Sequence, residues 1–235
     1  MYKFEHILYS HSDYDGIWDI WKHQLDRYLP NSKVHLFVNR FSLQQTYNYN
    51  IIEYGDSFQF YTDRVYHCLN QLEKDDQVVL YQHEDMFLYA QPDIETLNQF
   101  ATLVATDEVD LIRLIRVVDP LNQSSKHTHL YKNPINDKFS TQPTLIKVRT
   151  LKQIFLQGLG QNIWEFEMNC SSTCTNLKSY FCYAGENKRG ITHYDSNIYP
   201  YIATAICKGR WNMEEYPNEL TSIFNETNQN RRGDF

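Results

Sequence analysis

The chain has 235 residues, with 22 Lys and Arg against 29 Asp and Glu and a net charge of -7. With 42% hydrophobic and 22% charged residues it reads as globular, which excludes a largely disordered or fibrous chain. No apolar run approaches the roughly 18 residues of a spanning helix, and scattered basic residues in an acidic chain exclude generic nucleic-acid binding.

The first half alternates strand-like and helix-like segments. FEHILYS (4–10) reads as a strand, followed by the polar loop HSDYDG (11–16). Ile17, Trp21, Leu25 and Leu29 share one helix face, and Pro30-Asn31 stops it. VHLFVN (34–39) and NIIEY (50–54) are strands. After Gly55-Asp56-Ser57 a second helix puts Tyr61, Val65, Cys68 and Leu72 on one face. VVLYQ (78–82) is a buried type of strand, Asp93 caps a third helix, and VDLIRLIRV (109–117) is a further strand. Strands separated by helices at this spacing predict crossover units, hence an α/β fold with a largely parallel sheet covered by helices.

From 118 to 138 the chain is polar and turn-rich, a loop or a small hairpin. TLIKV (144–148) is one more strand, LKQIFLQGLG (151–160) a helix ending at glycines, and the segment 170–198 has irregular spacing. YIATAICKG (201–209) is an apolar element, and NELTSIF forms a terminal helix. With no internal repeat and no linker, the expectation is one domain over 1–235. Its first half, 1–117, would bind one ligand beyond the strand ends, and the decorated half 118–235 would bind a second.

Five cysteines, an odd number, and an N-terminus without a basic, apolar leader predict reduced thiols and a cytoplasmic setting. Cys170, Cys174 and Cys182 form C-x3-C-x7-C with His193 following, but no CxxC pair is present and four-ligand zinc spacing is lacking. Buried thiols are the expectation, and a zinc-stabilised binding protein the minor alternative. Tyr 18, Phe 13 and Trp 4 make an aromatic fraction of 15%, suited to sugar or base stacking but equally to packing.

Ligands of such sheets bind beyond the carboxyl ends of the strands. That makes Ser10-His11 with the loop after it, the loop at Asp56, and Gln82-His83-Glu84-Asp85 the site loops to consider. The last is the sharpest, because three ionisable groups interrupt the apolar run VVLYQHEDMFLY, and buried charge is costly without a partner. In an extended backbone His83 and Asp85 share a side and Glu84 opposes them. Asp85, with His83 or Glu84, could hold a divalent ion that bridges phosphates.

Trp164-Glu165-Phe166-Glu167 sets two carboxylates among large rings, where one could take a proton. Extended, they share a side; in a helix they diverge by about 200 degrees. In either form Trp164 and Phe166 are expected to wall a pocket. Tyr61 and Arg64 begin a helix beside a strand-end loop, where an arginine can grip phosphate. Lys208-Gly209-Arg210 is a small basic loop that could meet a diphosphate. The dinucleotide fingerprint, the Walker loop, the G-x-S-x-G elbow and H-E-x-x-H are all absent.

In order along the chain, the crossover sheet, the acidic turn after VVLYQ, Ser140-Thr141-Gln142-Pro143 before a later strand, WEFE and the tail SNIYPYIATAICKGRWN resemble nucleotide-sugar glycosyltransferases of the GT-A fold. The likeness is to the small soluble type of microbial and viral glycan synthesis and covers about residues 4–216. It implies a hexosyl- or pentosyltransferase that carries sugar from a nucleotide diphosphate to a glycan acceptor. Asp85 would face a manganese or magnesium ion, with Ser10, His11, Asp56, Tyr61, Arg64, His83, Glu84 and Lys208 around the nucleotide sugar. Trp164 and Gln142 would meet the acceptor, and Glu167, or secondarily Glu165, would be the base of an inverting displacement. The turn reads His83-Glu84-Asp85 where the family has Asp-x-Asp. The rival reading is a non-catalytic glycan- or nucleotide-binding module on the same fold.

Overall fold

A computed structural model describes residues 2–42, 48–120, 127–190 and 193–227. Strand β1 (Glu5–Tyr9) leads through a 3-10 turn into α1 (Asp15–Tyr28), then β2 (Val34–Val38), β3 (Asn50–Glu53) and α2 (Tyr61–Leu69). Next come β4 (Val78–His83), α3 (Ile94–Ala105), β5 (Leu111–Arg113), β6 (Leu130–Lys132) and β7 (Thr144–Lys147). Helices α4 (Val148–Gln157) and α5 (Ile163–Thr173) precede β8 (Ser179–Cys182). The chain then forms two small hairpins, β9 (Lys188–Arg189) with β10 (His193–Tyr194) and β11 (Ile206–Cys207) with β12 (Arg210–Trp211), and ends in α6 (Pro217–Thr227).

The main sheet has eight strands in the order β3-β2-β1-β4-β7-β5-β8-β6. β3, β2, β1 and β4 are mutually parallel, and β7 inverts the direction between β4 and β5. The α/β expectation holds, with a mixed and mostly parallel sheet. Alternation along the strands feeds two cores. Leu8, Leu36 and Leu80 pack with Trp18, Trp21, Phe100 and Ile223 under α1, α3 and α6. Ile7, Phe37, Val79 and Tyr81 pack with Val65, Leu151, Phe155 and Phe166 under α2, α4 and α5. Every residue of β4 is buried, as its unbroken apolar run requires.

Helix starts follow their caps. Asp93 accepts the Thr96 N–H at 3.0 Å at the head of α3. Asn162 and Glu165 close a reciprocal capping box that starts α5. WEFE is therefore helical, and the irregular reading of 170–198 fails at its start, because α5 runs to Thr173. The strand expected over 109–117 is shorter, since ladder pairing ends at Arg113 and Arg116 is instead held between the rings of Tyr183 and Tyr194, 4.7 Å from each. The loop-or-hairpin segment supplies edge strand β6; its residues 121–126 lie outside the described ones. Among the described residues no helix is long and apolar enough to cross a membrane.

The cysteines are free thiols. Cys170 and Cys174 sit in one core and Cys182 in the other, on the far side of the sheet, so the three do not converge.

Candidate active site

One cavity of about 730 Å³ opens beyond the carboxyl end of β4. Its walls come from five regions: Tyr14 in the turn after β1, the turn His83–Met86, Thr141 and Gln142 before β7, the first turns of α5, and the segment Thr204–Gly209 with His193. The register explains the convergence. β4 and β7 are antiparallel with Tyr81 opposite Thr144, so the residues entering β7 lie at the edge where β4 ends.

The C-terminal segment completes the site by running back along the chain that leaves β4. Tyr89 N–H donates to Pro200 O at 3.1 Å, Ile202 to Phe87 at 3.0 Å and Ala205 to Asp85 at 3.0 Å. This zipper carries β11 over the acidic turn. Lys208 and Gly209 are the two central residues of its hairpin, both with positive φ (53 and 75 degrees), the backbone of a type I′ turn. Lysine is an unusual occupant of that conformation.

At the acidic turn the extended geometry breaks. Met86 N–H donates to His83 O at 3.1 Å, so Glu84 and Asp85 lie in a turn and the alternation expected for 83–85 does not apply. His83 forms the buried floor. Its Nε2 is 2.9 Å from Tyr61 Oη, which in turn is 2.5 Å from Tyr81 Oη. Burial pushes the imidazole down to about 4, so the ring is neutral at pH 7. Glu84 and Asp85 are half-buried side by side. Burial is the main cause that lifts Asp85 to about 7, opposed by the Ile206 N–H that its carboxylate accepts. Glu84 is raised well above the carboxylate range by burial and then by the charge of Asp85. Two adjacent carboxyls held this way resist both being charged at once.

Opposite the turn, α5 presents Glu167. Its Oε1 accepts both the backbone N–H of Thr141 at 2.8 Å and the Thr141 hydroxyl at 2.7 Å. Glu165 points elsewhere, with Oε2 receiving the Asn162 N–H at 3.0 Å in the capping box. The two carboxylates diverge as helical spacing requires. Trp164 lines the cavity with its side chain 73% exposed. Phe166 does not: it is fully buried against Phe155, with ring centroids 4.6 Å apart, which corrects the expectation that it walls the pocket. Gln142 lines the cavity and receives the Tyr201 hydroxyl on Oε1 at 2.7 Å, leaving its amide N–H groups available.

Of the sequence-derived residues, His83, Glu84, Asp85, Gln142, Trp164, Glu167 and Lys208 thus share the cavity. The others support it from behind or beside. Ser10 is buried and takes the Trp18 Nε1–H at 2.7 Å, and Tyr54 donates to its carbonyl at 2.9 Å. His11 caps the 3-10 turn, with Nδ1 accepting the Asp13 N–H at 3.2 Å. Asp56 joins Asn39 and Arg40. Tyr61 lies beneath His83, and Arg64 holds the carbonyls of Phe58 and Gln59 at 2.9 and 3.3 Å. Tyr14 enters the wall from HSDYDG, one of the expected site loops, whereas sequence reasoning missed Thr204 and His193 as wall residues. No local spacing signals those two, because each arrives through a long-range crossing.

No protein-family model and no curated protein matches the chain. Solved structures that it resembles include glycosyltransferases. It is similar to GlyE from Streptococcus pneumoniae TIGR4, at 14% identity over 79% of this chain and 46% of that one, with a TM-score of 0.47. An active-site mutant of LgtC aligns at 13% identity over 93% of this chain and 96% of that one, TM-score 0.46. A galactosyltransferase LgtC structure with donor and acceptor sugar analogues gives 12% identity, 77% and 73% coverage, and 0.44. This chain spans less than half the length of GlyE. At these identities and TM-scores the likeness carries no argument of its own, and the functional reading stands on the site's own residues.

Proposed function

We propose that this chain is a glycosyltransferase that moves a hexose or pentose from a nucleotide diphosphate sugar to a glycan hydroxyl with inversion. One observation carries the reading. A carboxylate fixed by two hydrogen bonds, Glu167, faces a pair of cation-seeking carboxyls, Glu84 and Asp85, across a cavity with an open indole at its lip.

The roles follow from chemistry. The acceptor hydroxyl attacks the anomeric carbon while the bond to the diphosphate oxygen breaks, and the nucleoside diphosphate leaves with that electron pair. Glu167 takes the hydroxyl proton, with Oε1 anchored on Thr141. Trp164 offers a flat face for the acceptor sugar, and the free amide of Gln142 can donate to one of its hydroxyls. Lys208 balances phosphate charge. His83 keeps the turn in register through Tyr61.

Asp85 and Glu84 suit a manganese or magnesium ion, because such ions are held by one or two carboxylates together with substrate phosphates. Among the described residues no cluster of three or more His, Cys, Asp or Glu forms an all-protein metal cage. When bound, the ion supplies charge compensation for the departing diphosphate. Five free thiols fit work in the reducing cytoplasm.

The test is a panel of UDP-, GDP- and ADP-sugars, with and without manganese, scored for release of the nucleoside diphosphate. Turnover of one base class, strengthened by manganese, is expected. Tight donor binding with no turnover toward water or any glycan would make the chain a binding module instead.

A further inference from the structure

Lys208 and His193 share the cavity with its carboxylates, and His193 is the less expected of the two. The ring is held from behind: Nδ1 lies 2.9 Å from Glu215 Oε2. Glu215 itself is fixed on several sides. Its N–H donates to Asn212 Oδ1 at 3.2 Å, and its carbonyl accepts an Arg189 N–H at 2.8 Å. Arg189 in turn grips Asp195 at 2.6 Å and Glu219 at 2.8 Å and lies over the Tyr216 ring. The carboxylate of Glu215 lies against the backbone of Gly190, where a Cβ would come within 1.9 Å of Oε1 and 2.3 Å of Cδ. Gly190 also has φ of +61 degrees. Only glycine leaves room for the carboxylate there.

His193 and Thr204 both line the cavity. The Thr204 hydroxyl donates to Ala203 O at 2.7 Å and lies 3.5 Å from His193 Nε2. With Nδ1 tied to Glu215, Nε2 is the ring nitrogen left to meet a ligand. Lys208 lines the same cavity.

We infer that His193, oriented by Glu215, donates a hydrogen bond to the diphosphate of the bound nucleotide sugar, so that leaving-group charge is met by protein as well as by any metal ion. The inference rests on the glycosyl-transfer reading. His193 would be a catalytic contact, because it touches the group that departs, and Glu215 a positioning residue. A donor set on this oxygen stabilises the charge that grows as the bond breaks.

Calorimetric titration of UDP, GDP and ADP into the wild type, His193→Ala and His193→Gln, each in EDTA and in manganese, tests it. Loss of a charge-assisted hydrogen bond should weaken the preferred nucleoside diphosphate about tenfold in His193→Ala in both buffers. His193→Gln keeps an N–H donor and should recover most of the affinity. Unchanged affinity in His193→Ala overturns the inference, and so does a loss confined to the manganese buffer, because the ring would then serve the ion. If the wild type binds none of the nucleotides, the glycosyl-transfer reading itself fails and this inference with it. Should His193→Ala not fold by circular dichroism, Glu215→Gln carries the test: it keeps an acceptor for Nδ1 but drops the charge. An affinity loss of about threefold is then expected, and no loss overturns the inference.

Discussion

Replacing Glu167 by Gln isolates proton transfer from everything else that residue does. The glutamine carbonyl can accept both bonds that Thr141 gives to Oε1, at 2.8 and 2.7 Å, so the loop before β7 stays tied to α5. Trading charged for neutral acceptors costs about 1 kcal/mol, which for a chain of this size lowers Tm by roughly 2–4 °C. The amide, however, cannot take a proton. A general base contributes roughly 10²–10⁴-fold, or about 2.7–5.4 kcal/mol of barrier. Steady-state release of nucleoside diphosphate should therefore fall by that factor in kcat, while donor affinity by calorimetry stays within about twofold. Glu165→Gln is the matched control. It sits about 200 degrees away around α5, and Gln also closes a capping box, so kcat should change only a few-fold. A Glu167→Gln enzyme retaining more than about a tenth of wild-type kcat would refute the assignment. A reversed order of the two variants would move the base to Glu165.

Asp85→Asn should reduce manganese-dependent donor affinity by at least the roughly 10–100-fold seen on disturbing metal-site residues, without lowering apo stability, since burial already favours the neutral carboxyl; chemical denaturation in EDTA and calorimetry in manganese read the two separately. Trp164→Ala should leave stability within about 0.5 kcal/mol, because the ring is exposed, and raise the acceptor KM about 2–12-fold. Gly190→Ala should lose about 1–2 kcal/mol in urea unfolding from its positive φ and displace the Glu215 carboxylate. Finally, His6 is fully buried with neither ring nitrogen partnered, and burial pushes it down to about 3. The unfolded chain takes up that proton first, so stability present above about pH 6.5 is lost as pH falls toward 3, by ~2 kcal/mol between pH 8 and 5. His6→Leu should remove that part of the slope, and an unchanged difference between the two pH values would contradict it.

How much of this was legible in the sequence differs from one element to the next. The parallel half of the sheet was, because β1, β2 and β4 are largely buried on both faces, edge strand β3 keeps an apolar pair, and the helices keep a 3.6-residue stripe: β1, β2, β3 and β4 fall where their apolar runs lie. Asp93 also announced its helix. The acidic turn was visible as a chemical anomaly, charge inside an apolar run, but not as a turn; that depends on Met86 closing onto His83. The helical state of WEFE could have been read from Asn162 and Glu165 three residues apart, a capping box just before the aromatic residues. His193 and Glu215 could not. They are 22 residues apart and meet only because α6 packs beside the β9–β10 hairpin, through Arg189 and Glu219.

The places where local rules are broken converge on one cavity. Asp85 and Glu84 are carboxyls in surroundings that disfavour their charge, and His83 is an imidazole held neutral by burial. Lys208 occupies a left-handed conformation in a turn that glycine, asparagine or aspartate would occupy more easily. Trp164 leaves an indole in solvent. Each feature works against folding or gives it nothing, and each borders the same space. Packing cannot explain the set, since the surrounding cores are closed by other residues: Phe166 and Phe155 on one side of the sheet, Trp18 and Phe100 on the other. A ligand can. An anion together with a divalent cation would answer Lys208 and the Glu84–Asp85 pair at once. A sugar would cover the indole. Local cost gathered at one concave place, and offset by two well-packed cores, is the physical signature of a site kept for chemistry.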